Sequence, residues 1–252
     1  MDDGTKKKAK RWFGIACVSA MVCYAIFAVV FVSGSDKETV CKGVEVVIKD
    51  SADRQFITRG DIMRALNDYE MMPGGVSMKN INTTQMERKI HKIMPTIKEI
   101  CCYKTPESTI RVDITQRTPV VRIMNGTSSY YVDTDGKKMP STPGHPAYVM
   151  IATGRIDEKL ALGKLYEFGK YVNEDKFWNS QIEQVDFDYS GNATLSTRVG
   201  LQNIKMGTLD NYEQKLENLM TLYKKAFNKG GWNKYKEINL KYDNQVVCTR
   251  KQ

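Results

Sequence analysis

From Trp12 to Ser35 the chain shows no polar period: no charged side chain occurs, and the most apolar part, Trp12 to Val32, is 21 residues long. As a helix it would rise about 31 Å, enough for a hydrocarbon core of roughly 30 Å. Lys6, Lys7, Lys8, Lys10 and Arg11 stand before it, and Asp36, Lys37 and Glu38 after it. That asymmetry predicts a cytoplasmic tail over residues 1–11, a transmembrane helix over 12–35, and everything from Asp36 onward outside. A cleaved signal peptide shares the basic start. Its apolar region would be about 7–15 residues and end in an A-x-A type site, and neither fits here.

Beyond residue 36 the apolar residues become periodic. Val44-Glu45-Val46-Val47-Ile48-Lys49 is β-branched and alternates in part, which predicts a strand. Thr58-Arg59-Gly60-Asp61 has the form of a capping box with Asp in the last place. Ile62, Ala65, Leu66 and Tyr69 follow at helical spacing, up to Pro73-Gly74-Gly75. Asn82-Thr83-Thr84 opens a second helix with Met86, Ile90, Ile93 and Met94 on one stripe, closed by Pro95. Ile97 to Tyr103 and Thr109 to Thr115 read as strands. The latter sets Ile, Val and Ile against Arg and Asp, as a strand buried on one face does. Residues 41–118 thus form one unit: strand, helix, helix, strand, strand.

Residues 119–252 form a second, longer unit. Tyr130-Tyr131-Val132-Asp133 runs into Thr134-Asp135-Gly136-Lys137, a turn between strands. A calcium loop would need a third ligand position before its glycine and a later Glu. Pro140, Pro143 and Pro146 exclude regular structure from the stretch that follows. Asp157 to Val172 is predicted as one helix with Leu160, Leu165, Phe168 and Val172 inward. Strands are expected from Ile182 to Tyr189, Ala193 to Arg198 and Gln202 to Met206, separated by Ser190-Gly191-Asn192 and Val199-Gly200. Asp210 and Glu213 make an Asp-x-x-Glu cap for a helix whose stripe is Tyr212, Leu216, Leu219, Tyr223 and Phe227, and which stops at Gly230-Gly231. The chain closes with a strand from Tyr235 to Tyr242, a turn at Asp243-Asn244, and a strand from Gln245 to Arg250.

Charge changes the picture little at this stage. Lys plus Arg number 38 and Asp plus Glu 29, with 33 and 27 of them from residue 36 onward, a net of +6. A basic chain can bind nucleic acid, but a domain outside the cell does not meet it; the excess reads as a lysine-rich solvated surface near anionic lipid. Cys17 and Cys23 lie in the apolar span, whereas Cys41, Cys101, Cys102 and Cys248 lie outside, where a disulfide can persist. Three full pairings of those four stay open. On a strand, Cys101 and Cys102 point to opposite faces, so at most one faces a core. No C-x-x-C or Cys/His cluster suggests zinc.

Catalytic constellations are sparse. His91 and His145 are the two histidines, and no G-x-S-x-G, H-E-x-x-H or S-x-x-K occurs. Asp186 and Asp188 share one strand face and are the carboxylate pair that acid–base chemistry would use; a solvated face is the simpler reading. Asn82, Asn125 and Asn192 stand in N-x-(S/T) sequons, which matter in a eukaryotic secretory route and are chance in a bacterium.

Three stretches carry a resemblance: Gln116-Arg117-Thr118-Pro119, Tyr131-Val132-Asp133-Thr134-Asp135-Gly136 and Lys236-Glu237-Ile238-Asn239-Leu240-Lys241-Tyr242. They are similar to the (E/Q)-R-x-P, V-D-x-x-G and (I/V)-x-(L/M)-(R/K)-Y elements of the bacterial cell-division family FtsQ, also called DivIB. Their order and spacing after the basic-flanked apolar span fit residues 1–252. The unit over 41–118 looks like a POTRA domain. The resemblance implies an α+β protein: a transmembrane helix, a POTRA-like βααββ domain over 41–118, and a larger mixed α/β domain with an antiparallel-rich sheet over 119–252. It implies a non-catalytic, single-pass scaffold of the divisome in the inner membrane at the division septum, with its C-terminal domain periplasmic.

The implied partners are FtsB and FtsL and, through them, the septal peptidoglycan synthase, with no cofactor, metal, nucleic acid or small-molecule substrate. In that family the terminal strand region receives the extracytoplasmic part of FtsB in complex with FtsL. Carried over by position, Tyr242, Asn244, Gln245, Val246, Val247, Cys248, Thr249 and Arg250 are the expected partner-binding residues. The 11-residue tail is short for the family, and Lys241 stands where Arg is more usual. The residues point the same way by themselves, since an exposed terminal strand offers N–H and C=O groups to an added strand. Two other readings are a POTRA-bearing protein of envelope export or assembly, which calls for several repeats or a barrel, and an envelope peptidoglycan-active enzyme resting on Asp186 and Asp188.

Overall fold

The computed structural model describes residues 12, 18–27, 39–49, 57–126, 128–141, 146–200, 202–227, 232, 234–242 and 245–251. Among these, no helix is long and apolar enough to cross a membrane. The expected span at 12–35 lies in large part outside the described residues; within it, residues 18–27 are helical and exposed throughout. Cys17, Pro143, His145, Gly230, Gly231, Asp243 and Asn244 also lie outside the described residues.

The first unit has the expected order: β1 (Gly43–Ile48), α1 (Arg59–Asp68), α2 (Thr83–Ile93), β2 (Ile97–Lys104) and β3 (Thr109–Gln116). Its sheet runs β1-β3-β2, with β1 parallel and β2 antiparallel to β3. A parallel neighbour needs a crossover, which α1 and α2 supply. Ile110, Val112 and Ile114 of β3 are buried with Val46, Ile62, Leu66, Met86 and Ile90 in one core. Thr58 closes the capping box on α1: its hydroxyl accepts the Asp61 amide at 3.2 Å, and the Asp61 carboxylate accepts the Thr58 amide at 2.9 Å. Asn82 caps α2 by accepting the Gln85 amide at 2.9 Å. Tyr69 is exposed, not part of the α1 stripe, because the helix ends at Asp68 and the chain turns through Glu70 at φ 52°.

The second unit is one nine-stranded sheet: β4 (Pro119–Asn125), β5 (Ser128–Asp133), β6 (Lys138–Pro140), β7 (Met150–Gly154), β8 (Ile182–Phe187), β9 (Ala193–Thr197), β10 (Asn203–Gly207), β11 (Tyr235–Asn239) and β12 (Val247–Arg250). Their order is β12-β11-β10-β9-β8-β7-β4-β5-β6. Three neighbours are parallel (β4 with β7, β7 with β8, β10 with β11) and the other five pairings antiparallel. Helical crossovers follow: α3 (Glu158–Leu162), α4 (Lys164–Glu174) and α5 (Lys176–Gln181) between β7 and β8, and α6 (Tyr212–Leu222), extended by a π-turn over Tyr223–Phe227, between β10 and β11. The helices cover one face, where Leu165, Phe168, Leu216, Leu219 and Phe227 share a core with Val121, Ile123, Val185, Leu195, Ile204 and Ile238. Glu183, Asp186 and Ser196 on the opposite face are exposed. A POTRA-like unit is thus followed by a sheet-rich mixed α/β domain.

Several expectations are corrected. The single helix from Asp157 to Val172 breaks at Gly163 into α3 and α4. Asp210 does not cap α6. Asn211, at φ 54° with no side-chain cap bond, begins the helix, while Asp210 is drawn to Lys164 at 2.5 Å. Pro140 ends a short border strand, pairing with Tyr130, where a proline needs no ladder donor on its free side. The strands β4 and β7 and the helix α5 had no sequence expectation at all.

Candidate functional site

The last two strands build the border of the large sheet. Asn239, Ile238, Glu237 and Tyr235 of β11 stand opposite Val247, Cys248, Thr249 and Arg250 of β12. Among the described residues, no strand lies on the other side of β12. The hold on this edge comes from period-two burial. Ile238 and Leu240 are buried in the core, Val246 and Cys248 pack against it, and Val247 and Thr249 point away and are exposed. Val247 is 45% exposed, high for a β-branched apolar residue inside a strand. Burial pushes the Cys248 thiol above its ordinary pKa.

Seven of the eight expected residues are described, and all lie along this border; Asn244 lies outside the described residues. The strand is shorter than expected, Val247–Arg250, with Gln245 and Val246 in the connection before it. Tyr242 sits in the bend after β11 and lines an open groove of about 1070 Å³ with Tyr171, Tyr212, Asp175, Glu213 and Glu217. That groove was not foreseen, because α4, α5 and α6 bring its walls together from distant parts of the chain.

The other borders are less available. At the far end of the large sheet, β6 is three residues long and finishes on Pro140. In the small sheet, Glu87 from α2 puts its carboxylate on the Cys102 amide of β2 at 2.6 Å, occupying a main-chain donor of that strand. Bridged pairing of Val40 with Ser77 ties down the chain that enters β1. Such devices blunt an edge against added strands. Among the described residues, no side chain caps the main chain of β12 in this way.

Two of the sequence motifs meet in one place. Arg117 Nε donates to Asp133 Oδ2 at 2.6 Å, and its other nitrogens donate to the carbonyls of Pro95, Lys137 and Lys138 at 3.1, 3.2 and 3.0 Å. Asp133 Oδ1 accepts the amides of Asp135 and Lys137 at 3.0 and 2.8 Å, with Gly136 at φ 69° completing the turn. Asp135 in turn pairs with Lys98 at 3.0 Å. The turn is therefore a joint: Pro95 and Lys98 belong to the first unit, Asp133 and Asp135 to the second. The Asp-x-Asp-Gly stretch works as a turn and clamp, with its carboxylates directed to these partners.

Of the carboxylate pair, Asp186 is on β8 and Asp188 lies just past its end, since the strand stops at Phe187 and not at Tyr189; both are bonded locally. Asp186 accepts the Thr153 hydroxyl at 2.5 Å. Asp188 accepts the amides of Ser190 and Asn192, and hydrogen bonding from the Asn192 side chain first of all holds its carboxyl below the ordinary range. Both line a hollow of about 720 Å³ with Arg155 and Tyr189. Cys41, Cys101, Cys102 and Cys248 are free thiols; Cys102 is buried and Cys101 exposed, opposite faces as expected of neighbours on a strand. The sequon asparagines serve local structure: Asn82 caps α2, and the side-chain amides of Asn125 and Asn192 donate to Ile156 O and Asp188.

A small βααββ domain, clamped to an open sheet whose last strand is unpaired on one side among the described residues, defines a two-domain protein of the POTRA-bearing kind. Residues 39–115 match the POTRA-like domain, and residues 118–249 match the family described as FtsQ/DivIB, C-terminal related. The chain belongs to the FtsQ/DivIB family and is a cell-division protein of the divisome type, from a family that is in general a non-catalytic scaffold. No curated protein matches it.

Proposed function

We propose that this protein is a non-catalytic, single-pass scaffold of the divisome that recruits FtsB and FtsL through β12 and links them to septal peptidoglycan synthesis. The apolar span at 12–35 holds it in the cell membrane, with residues 1–11 cytoplasmic and the domains at 41–118 and 119–252 on the other side. The POTRA-like domain gives a second docking face near the membrane. Tyr242, Asn244, Gln245, Val246, Val247, Cys248, Thr249 and Arg250 form the partner site. The observation that carries this reading is the uncapped outer side of β12 beside the exposed Val247. A partner segment added there gains main-chain hydrogen bonds, and alternate side chains set specificity.

The test is a pull-down of FtsB and FtsL by the full-length protein in detergent, wild type against Val247→Pro. Proline removes one main-chain donor from the strand and disfavours the ladder. Capture should fall at least about tenfold, a loss of roughly 1.4 kcal/mol. Undiminished capture by a folded Val247→Pro protein overturns the terminal-edge model.

A further inference from the structure

The surplus charge of the chain is not spread over its surface. Residues 224–251 hold eight basic side chains and two acidic ones, a net of +6, equal to the net charge of everything from residue 36 onward. The rest of that region is therefore balanced, and its whole excess sits in the segment that runs from the π-turn after α6 through the β11–β12 border. Part of it converges there. Arg250 stands opposite Tyr235, and the Lys251 amide donates to the Lys234 carbonyl at 2.9 Å, extending the ladder past the strand end. Lys234, Lys236, Arg250 and Lys251 thus gather at one end of the edge, and all four are exposed. The nearby carboxylate, Glu237, is already engaged by Lys205 at 2.8 Å. None of the four cations forms an ion pair among the described residues.

From this we propose that the β12 edge selects an acidic extended segment, one whose carboxylates meet Lys234, Lys236, Arg250 and Lys251 while its main chain pairs with Val247–Arg250. The inference rests on the edge-strand reading above and adds to it the chemistry of the occupant. Main-chain pairing alone is blind to sequence, so an edge needs side-chain features to choose a partner. Four cations at one strand end supply such a feature, because charge complementarity raises the rate of encounter and rejects basic competitors. Exposed charges are screened over about 8 Å at physiological ionic strength, so the preference is salt-sensitive.

The experiment uses the full-length protein in detergent and three labelled twelve-residue peptides of one Val/Thr-rich design, with Glu, Ser or Lys at the same four positions. Binding is read by fluorescence anisotropy at low and high salt. The Glu peptide should bind at least tenfold tighter than the Ser peptide at low salt, with the advantage shrinking at high salt. The Lys peptide should bind weakest, and Arg250→Glu with Lys251→Glu should abolish or reverse the order. Val247→Pro should weaken the Glu and Ser peptides alike. Equal affinity of Glu and Ser peptides overturns the acidic-segment proposal and leaves the edge reading standing. Glu-peptide binding unaffected by Val247→Pro overturns the edge reading, the cations then being a diffuse patch. No binding of any peptide counts against both. Should the double charge variant fail to fold, the salt dependence of the wild type decides.

Discussion

At the residue scale the most consequential side chain is Arg117, which the sequence presents as one letter of a short motif. Its guanidinium, with 14% side-chain exposure, is paired with a carboxylate at 2% and bonded to three carbonyls. A planar fork of five donors suits that set of acceptors, and an ammonium does not. Removing it strands Asp133 as a buried charge, although two turn amides still serve that carboxylate. Arg117→Ala should lower unfolding stability by about 3 kcal/mol in urea titration, and Arg117→Lys should recover less than half of the loss. A variant within about 0.5 kcal/mol of wild type would show that the clamp is ornamental. That Arg117 and Asp133 meet was hidden in the sequence, since 16 residues separate them and nothing in spacing marks them as partners. Each motif was visible; their contact was not.

At the element scale, legibility followed burial on a single face. The strand β3 shows Ile110, Val112 and Ile114 inward with partly exposed residues between, and its alternation was readable at once. By contrast β4 is buried at Pro119, Val120, Val121 and Ile123, a near-continuous apolar run without a period, and the neighbouring β7 is only five residues long. Parallel strands at the centre of a sheet lose the two-residue signal for this reason. The Asp210 cap misled because its carboxylate had a better partner in Lys164, 46 residues away. The candidate edge was legible as a β-branched segment set off by the Asp243-Asn244 turn signal, whereas the groove beside Tyr242 has no local signature. The thiols give a direct reading of β2. Cys101 is exposed, while Cys102 is buried, its thiol pushed up to about 12 by burial above all. Alkylation needs access and thiolate. With iodoacetamide at pH 8, Cys101 should label in the native protein, and Cys102 and Cys41 only after denaturant, as read by peptide mass spectrometry. Equal labelling of Cys101 and Cys102 would place β2 in the wrong register.

At the scale of the whole molecule, the joint decides whether the two units move as one body. Beside the Arg117 clamp, the Lys98–Asp135 pair is its exposed outer tie. The Lys98 ammonium, by hydrogen bond and then by charge, holds the Asp135 carboxyl below the ordinary range. A carboxyl depressed in the folded state favours folding above its unfolded pKa, about 3.9, and that contribution is lost as pH falls through the folded value. The thermal midpoint of wild type should therefore exceed that of Asp135→Asn at pH 7, and the gap should close as pH drops from about 4 downward. High salt at pH 7 should narrow it as well, because both side chains are about two-fifths exposed, at 38% and 41%. A gap independent of both pH and salt would mean that the substitution acts through the turn backbone instead of the ion pair. In that case the orientation of the β12 edge relative to the POTRA-like unit rests on Arg117, the turn and the apolar contact of Ala147 with the first core. The charge-selective docking proposed for β12 and the geometry that presents it would then be separable, one tuned by surface cations and the other by a single half-buried guanidinium.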